Sequence, residues 1–336
     1  KYPYRSSMSK TVNNSFKLFS KKIKEEISPK KILEIGSNDG SFLKNFNKKK
    51  SVGIEPCSNI EKITKQNGYC TFANYWNKNT ALKILKKFGK FDLIYSANTI
   101  SHIKNLDEVF NAINLILSEK GVLILEDPSL LECLKRNTYD QFYNEHIYVF
   151  STIALENVLK KYNLKIFKID KLDIHGGSNR YFIKRKSNPK KIHKSVVQQR
   201  KAEISYGLNN YKTYKKFASR VKKSRIMLKN IFKKLKNKNK TIIGYGATAK
   251  STTILNYCNI NNKTIDFFLD TTIDKQNKYT PGTKIPILKY SGIDRKKIDY
   301  IFLGAWNFKN EIFKKEKKFI KRGGKFITHV PTPKIL

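Results

Sequence analysis

Two spacings of apolar residues alternate along the chain. Val12, Phe16, Phe19, Ile23 and Ile27 recur at helical intervals, so one amphipathic helix is expected within residues 1–29, packed on the sheet that starts at Lys31. Short apolar runs of strand length then occur at 31–35, 51–55, 69–72, 91–96 and 121–126. Between them lie helical patterns at 59–66, 81–88, 106–117 and 153–162, and a brief one after residue 40 carried by Phe42, Leu43 and Phe46. Segments 164–171 and 179–186, joined by His175-Gly176-Gly177-Ser178, read as a hairpin. Strands alternating with helices imply a parallel sheet with right-handed crossovers, and a hairpin at its end supplies an antiparallel edge. The expected fold class is α/β, with a Rossmann-like first domain over residues 1–186.

Residues 187–238 are rich in Lys, with Val196, Leu208, Phe217, Val221, Leu228 and Phe232 spaced as on long helices, and read as a helical connector. A second, smaller Rossmann-like α/β domain is expected over 239–336. It opens with TIIGYGATAK, continues through a helix at 251–257 and strands at 265–270 and 300–304, then a helix at 308–322 and a strand at 325–329.

Each domain carries a glycine turn after its first strand. In the first, EIGSNDG sets Gly36, Ser37, Asn38 and Gly40 behind a strand that contains Glu34. Small residues allow a ligand close to the backbone. An acid inside the strand suits a ligand bearing positive charge, whereas a dinucleotide site calls for G-x-G-x-x-G with the pyrophosphate on a helix N-terminus. S-adenosylmethionine (SAM), with its sulfonium and ammonium, is such a ligand. Glu55, about 20 residues on at the end of the second strand, is placed to accept the ribose hydroxyls of an adenosine group. In the second domain, Gly244-Tyr245-Gly246-Ala247-Thr248-Ala249 matches G-x-G-x-x-A, with Asp270 where a ribose acid would stand. That turn reads either as an NAD fingerprint or as a phosphate cradle with Lys250 as counter-charge.

Composition changes this picture little. The net charge of +43 invites a nucleic-acid reading, but the excess is almost all Lys, spread evenly over loops and helix backs. That evenness fits a codon bias better than a phosphate-tracking stripe, and no nucleic-acid partner is expected. A nucleic-acid methyltransferase would require salt-sensitive RNA or DNA binding. Cys57, Cys70, Cys133 and Cys258 form no C-x-x-C pair, so neither a metal site nor a disulfide framework is expected. No apolar run approaches the ~20 residues that cross a bilayer, and no signal peptide is evident, so the chain reads as cytoplasmic with no membrane partner.

Candidate chemistry lies beyond the fifth strand, where Tyr143, Glu145 and His146 cluster in YDQFYNEH, with His102 after the fourth strand. Active sites of open α/β sheets form at the carboxyl ends of strands. An imidazole beside a carboxylate and a phenol makes a general acid/base set. Taken with EIGSNDG, the segments SANTISHI (96–103), DQFYNEHIYVFS (140–151), HGGSNR (175–180), GYGATAKS (244–251) and DKQNKYTPGTKIPI (274–287) closely resemble the SAM-dependent C-methyltransferases of nucleotide-linked keto-deoxysugars. The resemblance implies that His146 removes the proton beside a sugar ketone and that the enolate takes the methyl group of SAM. It implies that Tyr143, Glu145 and His102 hold substrate or stabilise the enolate, and that Asn98 joins the cofactor residues. It also implies that the nucleotide-sugar, usually dTDP-linked, is bound by His175, Arg180, Gly244, Tyr245, Gly246 and Lys250, the last four in a domain that closes over it. Members of that family begin with a zinc-binding domain held by four cysteines. Nothing of that kind stands here, and YPYRSSMS resembles the region just after it, with Tyr2 and Tyr4 as candidate substrate contacts. Other classes left open by the residues are an O-methyltransferase for another small molecule and a ligand-binding protein without chemistry.

Overall fold

A computed structural model of the chain describes residues 4–336, so Tyr2 lies outside the described residues. The chain forms two compact units, one from residues up to Leu131 together with Glu145–Gly207, the other from Glu132–Asn144 together with Leu208–Leu336.

The first unit opens with α1 (Lys10–Glu26), capped by the Ser9 side chain on the Val12 amide. Its sheet contains β1 (Ile32–Ile35), β2 (Ser51–Ile54), β3 (Cys70–Phe72), β4 (Phe91–Ala97), β5 (Leu117–Pro128), β6 (Leu164–Leu172) and β7 (Ser178–Arg185) in the order β3-β2-β1-β4-β5-β7-β6. The first five strands pair in parallel; β7 runs antiparallel between β5 and β6. The sequence hairpin is therefore β6–β7, with β7 inserted beside β5. The intervening helices are α2 (Ser58–Gln66), α3 (Lys78–Phe88), α4 (Leu106–Ile116) and α6 (Thr152–Lys160), while α5 (Leu130–Lys135) comes directly after β5. Leu33, Ile35, Ile94, Leu123 and Leu125 are buried against α3, α4 and α6 in one continuous core. On the opposite face α1 inserts Phe16 and Phe19 among Phe42, Tyr95 and Phe182.

The helix expected from Phe42, Leu43 and Phe46 is a single 3-10 turn, Leu43–Asn45. Phe42 lies with its ring centroid 4.0 Å from that of Tyr95 and 5.0 Å from that of Phe46, so these residues are held as an aromatic cluster rather than along a helix face. The 187–238 segment is also divided. In α7 (Lys194–Tyr206) the buried Glu203 carboxylate accepts from the amides of Thr152 and Ile153 at 2.9 and 3.1 Å, capping α6 and fastening α7 to the first unit. The long helix α8 (Tyr211–Lys236) belongs to the second.

The second unit holds β8 (Ile242–Tyr245), α9 (Ala249–Cys258), β9 (Phe268–Asp270), β10 (Lys278–Tyr279), β11 (Pro286–Lys289), β12 (Tyr300–Leu303), α10 (Lys309–Lys315), α11 (Lys317–Lys321), β13 (Lys325–Thr328) and β14 (Lys334–Ile335). Its sheet runs β10-β11-β9-β8-β12-β13-β14, parallel except at its two edge pairs. The helix expected over 308–322 breaks at Glu316, whose buried side chain turns inward to Arg295 at 3.4 Å. Segment 132–144 packs here through the Tyr139 phenol, 3.2 Å from Ser224 Oγ, and through the Arg220 guanidinium, which donates to the Leu134 carbonyl at 2.6 Å.

Among the described residues no helix is long and apolar enough to cross a membrane. One buried ion pair ties the first sheet together: Arg180 on β7 donates from Nε to Glu126 on β5 at 2.8 Å, has its Nη2 2.6 Å from the same carboxylate oxygen and lies 3.3 Å over the ring of Phe19. Arg180→Ala leaves Glu126 charged and uncompensated and is expected to destabilise the protein by about 3–5 kcal/mol in chemical unfolding, whereas the double replacement Arg180→Met with Glu126→Leu recovers most of that loss.

Candidate active site

The turn after β1 is built by its backbone. The amides of Gly36 and Ser37 both donate to the Ile54 carbonyl, at 2.8 and 2.9 Å, which bends the chain back over the end of β2. Gly36 has φ +74°, and a Cβ there would stand 2.1 Å from Thr99 Oγ1, so neither the turn nor its neighbour admits a side chain. Asn38 comes next but one with φ +48°; its amide donates to Glu55 Oε2 at 3.0 Å, and its own carbonyl accepts from Thr64 Oγ1 at 2.9 Å. At Gly40, φ is +75°. Glu55 uses its second oxygen to accept from the Cys57 amide at 2.9 Å.

Three carboxylates crowd this turn. Glu34 is 3% exposed, and its Oε2 has no hydrogen-bond partner. Burial raises its pKa well above the usual carboxylate value, and the nearby negative charges of Asp39 and Glu55 raise it further. Burial likewise raises Glu55, against the lowering effect of its two backbone donors. Asp39 accepts from the Ser7 amide at 3.0 Å and from Ser41 Oγ at 2.6 Å, while Asn38 Oδ1 accepts from the Ser6 amide at 2.9 Å, so residues 6 and 7 lie against the turn. A cluster of acids with one orphaned oxygen suits a cationic ligand, which would offset their mutual repulsion.

Beyond β4, Asn98 takes φ +49° and its amide donates to the Glu126 carbonyl at 2.7 Å. The chain then makes a 3-10 turn, Ile100–His102. The rings of His102 and His146 stand 5.1 Å apart between centroids, inclined by 35°. Burial lowers the His102 pKa, the negative charge of Glu145 opposes it, and His102 Nε2 is buried without a hydrogen-bond partner. The first unit thus brings together His102, Glu145 and His146. Tyr143 lies in the segment that packs with the second unit. His175 has φ +53° in the 3-10 turn Ile174–Gly176, a strained conformation for a residue other than glycine, and Arg180 is committed to Glu126.

In the second unit the glycine turn is closed on itself. A Cβ on Gly244 would meet the Phe268 ring at 2.4 Å, and Gly246, at φ +83°, faces Ala305. Asp270 accepts from the amides of Ala247 and Thr272 at 2.9 and 2.8 Å, which ties its carboxylate to its own turn. The Tyr245 ring lies 5.6 Å from that of Tyr290. Lys250 stands 5.6 Å over the Trp306 ring, and Trp306 Nε1 donates to Asp140 at 2.5 Å. Burial pushes the Asp140 carboxyl up, but His329, 3.4 Å away, together with Lys250 and Trp306 brings it below its ordinary value.

These geometries meet two family models. Residues 4–169 match a methyltransferase domain, and residues 173–331 match a C-methyltransferase C-terminal domain. The chain is 30% identical over 307 residues to the C-methyltransferase NovU of Streptomyces niveus, covering 91% of this chain and 73% of NovU. The chain belongs to the C-methyltransferase family. Solved structures similar to it include a SAM-dependent methyltransferase of Thermotoga maritima, 17% identical with a TM-score of 0.39 over 52% of this chain and 89% of that one. Magnesium protoporphyrin IX methyltransferase of Synechocystis PCC 6803 is 11% identical, with a TM-score of 0.39 over 52% of this chain and 83% of that one. As a C-methyltransferase the chain uses S-adenosylmethionine as methyl donor, and the residues fit it: the orphaned Glu34 oxygen, the side-chain-free turn at Gly36 and the surrounding acids suit a cationic ligand.

The first unit also holds a buried acid that sequence reading passed over. Asp127 stands after Glu126 at the end of β5 and is 1% exposed; burial pushes its pKa up to about 7. Its Oδ1 accepts from Ser101 Oγ at 2.7 Å and its Oδ2 has no partner. The available signal was the acid pair closing the fifth strand. Because the folded carboxyl binds its proton more tightly than the unfolded one, this group's contribution falls as pH rises from about 4 to about 7. Asp127→Asn is therefore expected to gain stability relative to the parent as pH rises, by on the order of 3 kcal/mol between pH 4.5 and 7.5 in urea unfolding.

Proposed function

We propose that this enzyme methylates a ring carbon of a nucleotide-linked keto-deoxysugar, with dTDP as the carrier, by removing the proton beside the ketone. The observation that carries the reading is the His102–His146 pair with Glu145, in the same unit as the acid-lined glycine turn. A proton next to a ketone is weakly acidic, so the site must supply a base and stabilise the charge that forms on oxygen. His146 is the base. His102, kept neutral by burial, offers an uncharged N–H donor to the developing enolate, and Glu145 steadies the imidazolium that His146 becomes. Tyr143 is assigned to the substrate, as are His175 and the second unit's Tyr245 and Lys250. Glu34, Gly36, Ser37, Asn38, Gly40, Glu55 and Asn98 hold the cofactor, Glu34 toward positive charge and Glu55 toward the ribose. Bound S-adenosylmethionine supplies an electrophilic methyl group on a sulfonium. Holding the carbon nucleophile in line with that methyl replaces an improbable encounter between two dilute species.

Incubation with S-adenosylmethionine and a dTDP-4-keto-6-deoxyhexose in deuterated water, with mass spectrometry and NMR of the sugar, tests the reading. A new carbon–carbon bond is expected; a methyl ether would make the protein an O-methyltransferase instead. His146→Ala is expected to abolish both methyl transfer and deuterium exchange beside the ketone while S-adenosylmethionine affinity stays within about two-fold. Full activity of that variant removes His146 as the base. Glu34→Gln is expected to weaken S-adenosylmethionine binding by about 10–100-fold in calorimetry. The parent is also expected to release protons on binding, because a cation pulls the raised Glu34 pKa back down, and the variant is expected to lose that release.

A further inference from the structure

Neither histidine of the pair sits in a regular α-helix or a strand. His102 ends a 3-10 turn and His146 lies in the coil before α6, so their spacing depends on how those two segments are fastened. On the backbone, the Asn98 amide donates to the Glu126 carbonyl at 2.7 Å, and the Tyr148 amide donates to the Ser101 carbonyl at 3.1 Å. The Tyr148 phenol donates to the Lys104 carbonyl at 2.7 Å. Ser101 is thereby joined to the chain two residues beyond His146, and it directly precedes His102. Its hydroxyl is held by Asp127, both residues being 1% exposed.

We propose that Asp127 is a positioning residue of the reaction: through Ser101 it sets the distance and tilt between His102 and His146. The inference deepens the reading of the histidine pair given above and rests on it for its catalytic consequence. A buried carboxyl with one oxygen unpartnered is a costly way to hold a hydroxyl. Its place in the sheet accounts for the choice. Asp127 pairs in register with Asn179 on β7, whose side-chain Nδ2 donates to Ser129 Oγ and to the Tyr181 phenol at 3.4 and 3.1 Å. The carboxyl therefore stands on the rigid rim of the sheet, short enough to keep Ser101 close and without a rotatable tail.

The test uses the full chain and the five histidines as reporters. Imidazole resonances are tracked against pH by NMR in the parent, Ser101→Ala, Asp127→Ala and Asp127→Asn, alongside kcat and KM for the keto-sugar. Ser101→Ala removes a single hydroxyl and guards against a misfolded Asp127→Ala. The expected result is that Ser101→Ala and Asp127→Ala move the titrations of His102 and His146 and leave those of His193 and His329 in place. Turnover should fall about ten-fold or more with little change in S-adenosylmethionine affinity, the double variant should be no worse than either single one, and Asp127→Asn, which keeps an acceptor, should restore most of the turnover. Folded Ser101→Ala and Asp127→Ala proteins with parental His102 and His146 titrations overturn the proposal. If the parent transfers no methyl to keto-sugars, the functional reading fails while the titrations still decide whether Asp127 positions the pair.

Discussion

Buried negative charge governs how this protein is put together. Of the 26 acidic residues, ten are buried, including Glu34, Asp39, Glu55, Glu126 and Asp127 at or near the strand ends of the first sheet. Among the described basic residues other than histidine, only Arg180 and Lys184 are buried. The +43 net charge is thus worn on the outside, where lysine heads are solvated and their mutual repulsion is screened. Inside, most of the acids have a definite structural role. Glu126 neutralises Arg180, Glu203 caps α6, Asp270 ties its own glycine turn and Glu316 holds Arg295. Glu34 and Asp127, each left with an unpartnered oxygen, belong to the unit that carries the acid-lined glycine turn.

That distribution explains how a lysine-rich protein handles a cationic cofactor. A positively charged surface does not attract S-adenosylmethionine. In the proposed cofactor site the attraction is local, produced by carboxylates held in a poorly solvated turn, where a charge interacts more strongly than at the surface. Burial likewise lowers the pKa of His102.

The order of the elements was legible because it is written in local periodicity. Five apolar runs with helical patterns between them specify a parallel sheet, and the β6–β7 hairpin arises from His175-Gly176-Gly177. The glycine turn with Glu34 was legible because a missing side chain and an acid inside an apolar strand are both anomalies that a sequence displays. A helix after Gly40 was not there to be found, since Phe42, Leu43 and Phe46 have helical spacing and serve an aromatic cluster instead. The single connector expected over 187–238 fails for a similar reason: amphipathic spacing shows that a helix has a buried face and says nothing of which unit buries it.

Residues close together in the chain were enough to specify the two α/β units, the acid-marked turn and the histidines at strand ends. Folding was needed to match Glu126 with Arg180, 54 positions away, and to bring Asp127 to Ser101 rather than to solvent. Folding also assigned residues 132–144 to the second unit, where Asp140 meets Trp306 and His329. A buried charge must find its partner wherever the folded chain brings one, and that partner's distance along the sequence carries no periodic signal.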